Sequence, residues 1–211
     1  MKLHSVIVSY ERPELLERTV RSYVATCTLD YYLVVVDNHS GEDTQRLIRD
    51  LFQDGYIDMV VNLPENKYPG YATNQGWAHA HTATALYHRS DNDVQYLPGW
   101  CDEVVERFKT ENLWQLGLRT LEEEGNHANV GGNCVITREA YMAGIRYSGE
   151  PWTERPFEDA LMSHKIHRAG KWVGRVQRPC IEHIGLASST DPYYQETFRV
   201  RGITFEQWGV K

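Results

Sequence analysis

The chain has 211 residues, of which 41 % are hydrophobic and 24 % charged, enough to bury a sizeable core in one large soluble domain. Its net charge of −7, from 22 basic and 29 acidic residues, disfavours a dedicated nucleic-acid binder, whose affinity would rest on basic side chains over phosphates. Four scattered cysteines without a CxxC pair exclude a zinc ribbon or a disulfide scaffold; with no signal-peptide pattern and no run of membrane-spanning length, they predict a cytoplasmic protein with reduced thiols and no integral membrane segment.

"LHSVIVSY" reads as a buried strand ending near Ser9. In "ERPELLERTVRSYVATC", Pro13 suits a first helical turn, and Leu16, Val20, Tyr23, Val24 and Cys27 recur on one helix face. "YYLVVVDN" is a second buried strand ending at Asp37. "SGEDTQRLIRDLFQ" predicts a helix opened by a Ser40–Asp43 capping box and burying Leu47, Ile48, Leu51 and Phe52. "IDMVVNL" is a third strand; apolar rather than alternating strands between helices predict a parallel α/β sheet. "PENKYPGYATNQGW" reads as a loop running into a helix, and "PGWCDEVVERFKT" as a helix with Trp100, Val104, Val105 and Phe108 on one face. "LWQLGLRT" and "CVIT" predict strands and "LEEEGNHANVGGN" a loop. "FEDALMSHKIHRAGK" predicts a helix stopped by Gly170, and "WVGRVQ" a late strand. His79, His81, His88, His164 and His167 form no metal-hydrolase spacing and read mostly as surface or helix-face residues.

In an open parallel sheet, ligands bind beyond the carboxyl ends of the strands. Three polar stretches fall there: "SYER", "DNHS" and "SDND". Asp37 can open a turn or accept a hydrogen bond from a nucleobase N–H or a ribose hydroxyl. Asp91 and Asp93 flank Asn92, and two like charges at that spacing need separate hydration or a positive partner. Glu158 and Asp159 suit a helix's first turn through the dipole alone, or a general base held beside a cleft. "NVGGNCV" lacks both the Walker ending and a GxGxxG spacing, which disfavours a kinase or a dehydrogenase.

Taken together, "SVIVSYERPELLERTVRSYVATC", "LVVVDNHSGEDT", "ENKYPGYATNQGW", "SDNDVQYLPGW", "GGNCVITREAY", "FEDALMSHKIHRAGK" and "IEHIG" resemble, in order, the GT-A nucleotide-sugar glycosyltransferases of the family 2 type, across residues 3 to 187. The resemblance implies a GT-A (Rossmann-like) α/β three-layer sandwich with a mostly parallel central sheet. Its domain would span 1–187, with a nucleotide-sugar-binding half (1–97), an acceptor/catalytic half (98–187) and a C-terminal extension (188–211). It implies that Ser9, Tyr10 and Glu11 meet the nucleotide, that Asp37 contacts the base, and that Lys67, Tyr71 and Asn74 line the nucleotide side. In the family's DxD element, Asp91 would face ribose beside Asn92, and Asp93 would bind a divalent ion carrying the diphosphate. His183 matches a late histidine that is either a further ligand or a packed side chain, and Asp159, paired with Glu158, would be the base. One departure is "LYHRS", less apolar than the strand that usually leads into DxD.

Hard ions such as Mg²⁺ or Mn²⁺ take one or two carboxylates plus substrate phosphates, so the positive charge near Asp91 and Asp93 would arrive with the substrate; a histidine ligand tilts the choice toward Mn²⁺. The expected function is transfer of a sugar from a nucleoside-diphosphate sugar, UDP-linked by the fit of the uracil N3–H to Asp37, onto an acceptor hydroxyl with inversion. Guanine and thymine also carry a ring N–H. The acceptor stays open between a glycan, a protein, a lipid-linked sugar and a modified nucleic-acid base. A sugar nucleotidyltransferase and a non-catalytic nucleotide-sugar or carbohydrate-binding protein on the same fold are the alternatives.

Overall fold

A computed structural model describes residues 1–121, 132–148 and 158–185. The chain begins with the alternation the apolar runs predict: β1 (Lys2–Ser9), α1 (Pro13–Thr26), β2 (Asp30–Asp37), α2 (Glu42–Gln53), β3 (Met59–Asn62), α3 (Pro69–Trp77) and β4 (Leu86–Ser90). These four strands run parallel, with Ser9 beside Asp37 and Ile7 beside Ser90 in register. After β4 come β5 (Val94–Tyr96), α4 (Trp100–Thr110), β6 (Leu113–Gly117), β7 (Cys134–Thr137) and α5 (Arg138–Met142). The last described elements are α6 (Glu158–Arg168), β8 (Trp172–Arg175) and β9 (Ile181–His183). The main sheet has seven strands in the order β3-β2-β1-β4-β7-β6-β8, with β7 alone antiparallel to its neighbours; β5 and β9 form a separate two-stranded ribbon.

Strand side chains alternate between two faces, and each face has its own core. Leu3, Ile7, Leu33 and Val35 pack with Leu16, Val20 and Tyr23 of α1, Ile48 and Leu51 of α2, and Trp100 and Val104 of α4. Val6, Val8, Val34 and Val36 pack on the other side with Ala72 and Trp77 of α3, Ala140 of α5, and Met162 and Ile166 of α6. Helices on both faces of one sheet make the expected three-layer α/β sandwich. The layer containing α3 is held close: a Cβ on Gly76 would lie 2.6 Å from Val6 Cγ2 and 2.9 Å from Val36 Cγ2.

Three local expectations need correction. Ser40 does not cap α2, whose N-cap is Gly41 without a side-chain hydrogen bond; the Ser40 hydroxyl instead accepts from the Glu11 amide at 3.0 Å. Phe52 is 48 % exposed, because the apolar face of α2 is completed by Ile48 and Leu51. His88 is no surface residue but is wholly buried in β4, all five residues of which are buried despite their polarity. The segment read as a loop before Gly132, and the extension 188–211, lie outside the described residues.

Candidate nucleotide-sugar and catalytic site

The chain winds from β1 outward to β2 and β3, then returns to place β4 on the other flank of β1. This reversal opens a crevice beyond the carboxyl ends of β1 and β4, the position where open α/β sheets bind ligands. Ser9, at the end of β1, and Asp37, at the end of β2, are both buried there. Asp37 Oδ1 accepts from the Ser40 amide at 3.0 Å, so the turn reading of this aspartate holds. Its Oδ2 and the Ser9 hydroxyl are buried with no hydrogen-bond partner among the described residues. A buried acceptor left in that state is costly unless something else donates to it.

The loop between β1 and α1 is strained. Glu11 (φ 53°) and Arg12 (φ 59°) both adopt the left-handed region without being glycine, which residues do only where their surroundings force it. The forcing contacts are visible around Glu11. Its amide donates to Ser40, its Oε1 accepts from Gly41 N at 2.9 Å, and its carbonyl accepts from Asn92 Nδ2 at 3.2 Å. Arg12 is thereby turned into the acidic segment, where Nη1 meets Asp93 Oδ2 at 3.0 Å and Nη2 meets Asn92 Oδ1 at 3.1 Å.

The β5–β9 ribbon supplies the other wall. Val94 pairs with His183, and Ile184 N donates to the Asp93 carbonyl at 2.8 Å, so the ribbon delivers His183 Nε2 to 3.3 Å from Asp93 Oδ2. Burial works against ionisation of Asp93, but the hydrogen bond from His183 and the charges of Arg12 and His183 outweigh it, and the pKa falls. The same hydrogen bond raises that of His183 against its own partial burial. Asp91 goes the other way: burial raises its pKa, Arg89 opposes this, and the charges of Asp93 and Asp159 add to it. With 36 % of its side chain still exposed, the push from burial is partial.

Asp91 is fixed by Asn133, which donates from Nδ2 to Oδ2 at 3.0 Å and accepts the Asp91 amide through Oδ1 at 3.0 Å. Arg89, 3 % exposed at the end of β4, reaches Asp91 Oδ1 at 3.5 Å and Asp159 Oδ1 at 2.7 Å. Asp159 stands in the first turn of α6 with 27 % of its side chain exposed. Two glycines make the walls thin. A Cβ on Gly132 would come within 2.7 Å of Asp91 Oδ2, and one on Gly185 within 2.6 Å of Asp93 Oδ2.

The structure therefore brings Ser9, Glu11, Asp37, Asp91, Asn92, Asp93, Asp159 and His183 into one connected rim. Other expected members stand apart or serve the scaffold. The Lys67 side chain, 43 % exposed, pairs with Glu65 at 2.6 Å, while its amide donates to Asn38 Oδ1 at 2.9 Å, next to Asp37. Asn74 spends its amide on the Tyr147 backbone, donating at 3.0 Å and accepting at 3.2 Å. Tyr71 packs against the core beneath α3, and Tyr10 is half-buried after β1. The side chain of Glu158 lies outside the described residues. Sequence reasoning missed Arg12, Ser40, Arg89 and Asn133. It also expected the cation between the aspartates to arrive with a substrate, whereas the chain's own Arg12, Arg89 and His183 already face them. A basic residue in the strand leading into the acidic turn was the available signal.

Asp93 Oδ2 and His183 Nε2 could hold a divalent ion. The two atoms stand 3.3 Å apart and are the carboxylate oxygen and imidazole nitrogen that Mg²⁺ or Mn²⁺ would accept. No three His, Cys, Asp or Glu side chains among the described residues cluster as a complete cage, so phosphate and water oxygens would fill the other positions.

Comparison with known proteins places this arrangement. A β-1,3-glucosyltransferase of Campylobacter jejuni, named for its GalNAc(5)-diNAcBac-PP-undecaprenol substrate, is 25 % identical over 145 residues, covering 67 % of this chain and 41 % of that protein. The chain thus spans about two-fifths of the length of that curated relative. Staphylococcus aureus TarS (residues 1–349) superposes with a TM-score of 0.71 at 14 % identity, covering 95 % of this chain and 64 % of that one. The mannosyltransferase PcManGT of Pyrobaculum calidifontis, solved with GDP-Man and Mn²⁺, superposes with a TM-score of 0.72 at 14 % identity, covering 94 % and 60 %. These likenesses show the GT-A fold. Residues 5–134, which carry β1 through the acidic turn to Asn133, match the sequence profile of glycosyl transferase family 2, and the chain belongs to that family.

Proposed function

We propose that the chain is a metal-assisted glycosyltransferase that moves a sugar from a nucleoside-diphosphate sugar, UDP-linked, to an acceptor hydroxyl with inversion. What carries this reading is the continuous run of contacts from Asp37 through Ser40, Glu11 and Asn92 to Asp93, with Asp91 and Arg89 leading on to Asp159. Asp37 Oδ2 is an orphan acceptor suited to a base N3–H, and Asp91 is suited to ribose hydroxyls. Asp93 and His183 would hold Mn²⁺ or Mg²⁺, which supplies charge stabilisation to the departing diphosphate when bound. Asp159 takes the proton of the acceptor hydroxyl. The acceptor oxygen bonds to the anomeric carbon as the bond from that carbon to the diphosphate oxygen breaks, and the electron pair leaves with the nucleoside diphosphate.

Support for the donor class comes from the neighbours: TarS has been solved with UDP-GlcNAc, and PcManGT with GDP-Man and Mn²⁺. Residues 1–187 are read as the glycosyltransferase domain, with its nucleotide half in 1–97 and its acceptor half in 98–187. Among the described residues, no helix is long and apolar enough to cross a membrane; a cytoplasmic site of action is part of the proposal. Isothermal titration with UDP, with and without Mn²⁺, tests it. Binding that strengthens with the ion is expected, and a failure of every nucleoside diphosphate to bind in a metal-dependent way would overturn it. A sugar nucleotidyltransferase would instead release pyrophosphate.

A further inference from the structure

We infer that Arg89 is the positioning residue for the acceptor base, setting the orientation of Asp159 from the floor of the central sheet. This rests on the reading of Asp159 as that base. Arg89 lies in β4 between β1 and β7, where it pairs with Cys134, and only 3 % of it is exposed. A charged side chain in such a place is less favourable to stability than an apolar one of similar volume, so stability alone does not account for it. Its guanidinium lies over the Tyr147 ring at 4.5 Å. That ring is itself held: the Tyr147 hydroxyl meets Cys134 Sγ at 3.1 Å, and the backbone is clamped by Asn74. The guanidinium plane is therefore fixed before it meets either acid.

Nη1 then engages Asp159 Oδ1 at 2.7 Å, while Nη2 faces Asp91 Oδ1 at 3.5 Å. A base held through Oδ1 can offer its other oxygen, Oδ2, to the acceptor's proton. Because the same fork faces Asp91, the base is indexed to the group that faces the donor's ribose, and the two halves of the reaction share one rigid reference. A lysine offers a single point charge and cannot span both carboxylates in a fixed plane.

The test compares Arg89→Lys and Arg89→Met, each alone and combined with Asp159→Asn. UDP-glucose hydrolysis, with water as the acceptor, gives kcat and KM, and UDP/Mn²⁺ titration with thermal melting checks donor binding and folding. Arg89→Lys is expected to lower kcat 10- to 100-fold with the KM for UDP-glucose changed less than threefold, and to slow the Asp159→Asn enzyme less than twofold further. An equal loss in both backgrounds, or a raised KM with kcat intact, overturns the inference. Carbodiimide labelling of Asp159, read by mass spectrometry, decides independently of turnover: protection in the wild type and labelling in a folded Arg89→Lys or Arg89→Met protein are expected, and unchanged labelling overturns it. The reading of Asp159 as the base is judged separately by the single Asp159→Asn variant, which must lose hydrolysis in either case.

Discussion

β1 and β4 lie side by side in register, and both bury polar side chains, yet of the two only β4 buries a charged one, Arg89. β1 reads Lys-Leu-His-Ser-Val-Ile-Val-Ser, feeds apolar side chains into both cores and ends at Ser9 in the crevice; β4 reads Leu-Tyr-His-Arg-Ser and buries a neutral imidazole on one face and a guanidinium on the other. His88 meets Ser5 and Tyr96 at 3.1 Å each, and Arg89 meets the carboxylates of Asp91 and Asp159. The difference teaches that the crevice is not simply what lies past an apolar sheet. Both strands build the sheet, and β4 in addition carries the charge that organises the acids.

The largest effect that would sharpen this contrast comes from the acid at the far end of the β4 network. Asp159→Asn keeps the shape of the side chain but removes its basicity. Transfer should fall by roughly two to four orders of magnitude, the range that general-base catalysis supplies, with UDP affinity nearly unchanged. A variant that still transfers at the wild-type rate would leave Arg89 and Asp159 as scaffold, and β4 would differ from β1 only in composition. Next comes Asp93→Asn, at the corner served by Arg12 and the ribbon rather than by β4. Losing a group behind a metal ligand typically weakens metal binding roughly 10- to 100-fold, and losing the ligand itself should do no less. The Mn²⁺-dependent part of UDP binding should disappear and the metal-independent part persist; equal binding in both proteins would remove Asp93 from the ion's shell.

Two glycines make a matched pair for the same comparison. Gly76→Ala pushes a methyl into Val6 and Val36, in the core between α3 and the sheet. It should cost about 1–3 kcal/mol of stability, the usual penalty for overfilling a core, and leave the metal dependence of UDP binding intact. Gly185→Ala pushes its methyl against Asp93 Oδ2, an atom held by Arg12 and His183. It should leave the urea midpoint close to wild type and weaken Mn²⁺-dependent UDP binding about tenfold, the scale of a misplaced ligand shell. Paired urea melts and titrations of the two variants read both effects, and a swapped pattern would break the division of labour between the strands.

The apolar strand was legible in the sequence and the polar one was only partly so. β1, β2 and β3 were found because short apolar runs such as VIV and LVVV, set between amphipathic helices, have few other uses. β5 and β9 are three residues each, and their pairing joins Val94 to the distant His183, so no local pattern announces them. The acids were legible as residue types at strand ends, but their counter-charges were not. Arg12 is aimed by two positive-φ residues that carry no glycine signature, and Arg89 reads locally as a flaw in a strand. Ser40 shows the same limit from another side. Its spacing to Asp43 fits a capping box, but the Glu11 amide, far away in sequence, takes the hydroxyl instead.

The smallest predicted effect concerns the other buried polar residue of β4. Burial lowers the pKa of His88 from 6.5 to about 3, so it is neutral in the folded protein at any moderate pH. The unfolded chain binds a proton at this position once the pH drops below about 6.5, and the folded chain does not until about 3. Between those values the unfolded state holds more protons, so stability must rise with pH there and fall on acidification. His88→Leu removes that contribution while stranding the Tyr96 hydroxyl that met Nε2. At pH 8 the variant should be less stable by about 1 kcal/mol, the ordinary net worth of one hydrogen bond, and its urea midpoint should decline less steeply than the wild type's from pH 6.5 down to 4.5. Identical slopes would mean that the imidazole is already protonated in the fold, and the neutral His88 at the centre of β4 would have to be abandoned.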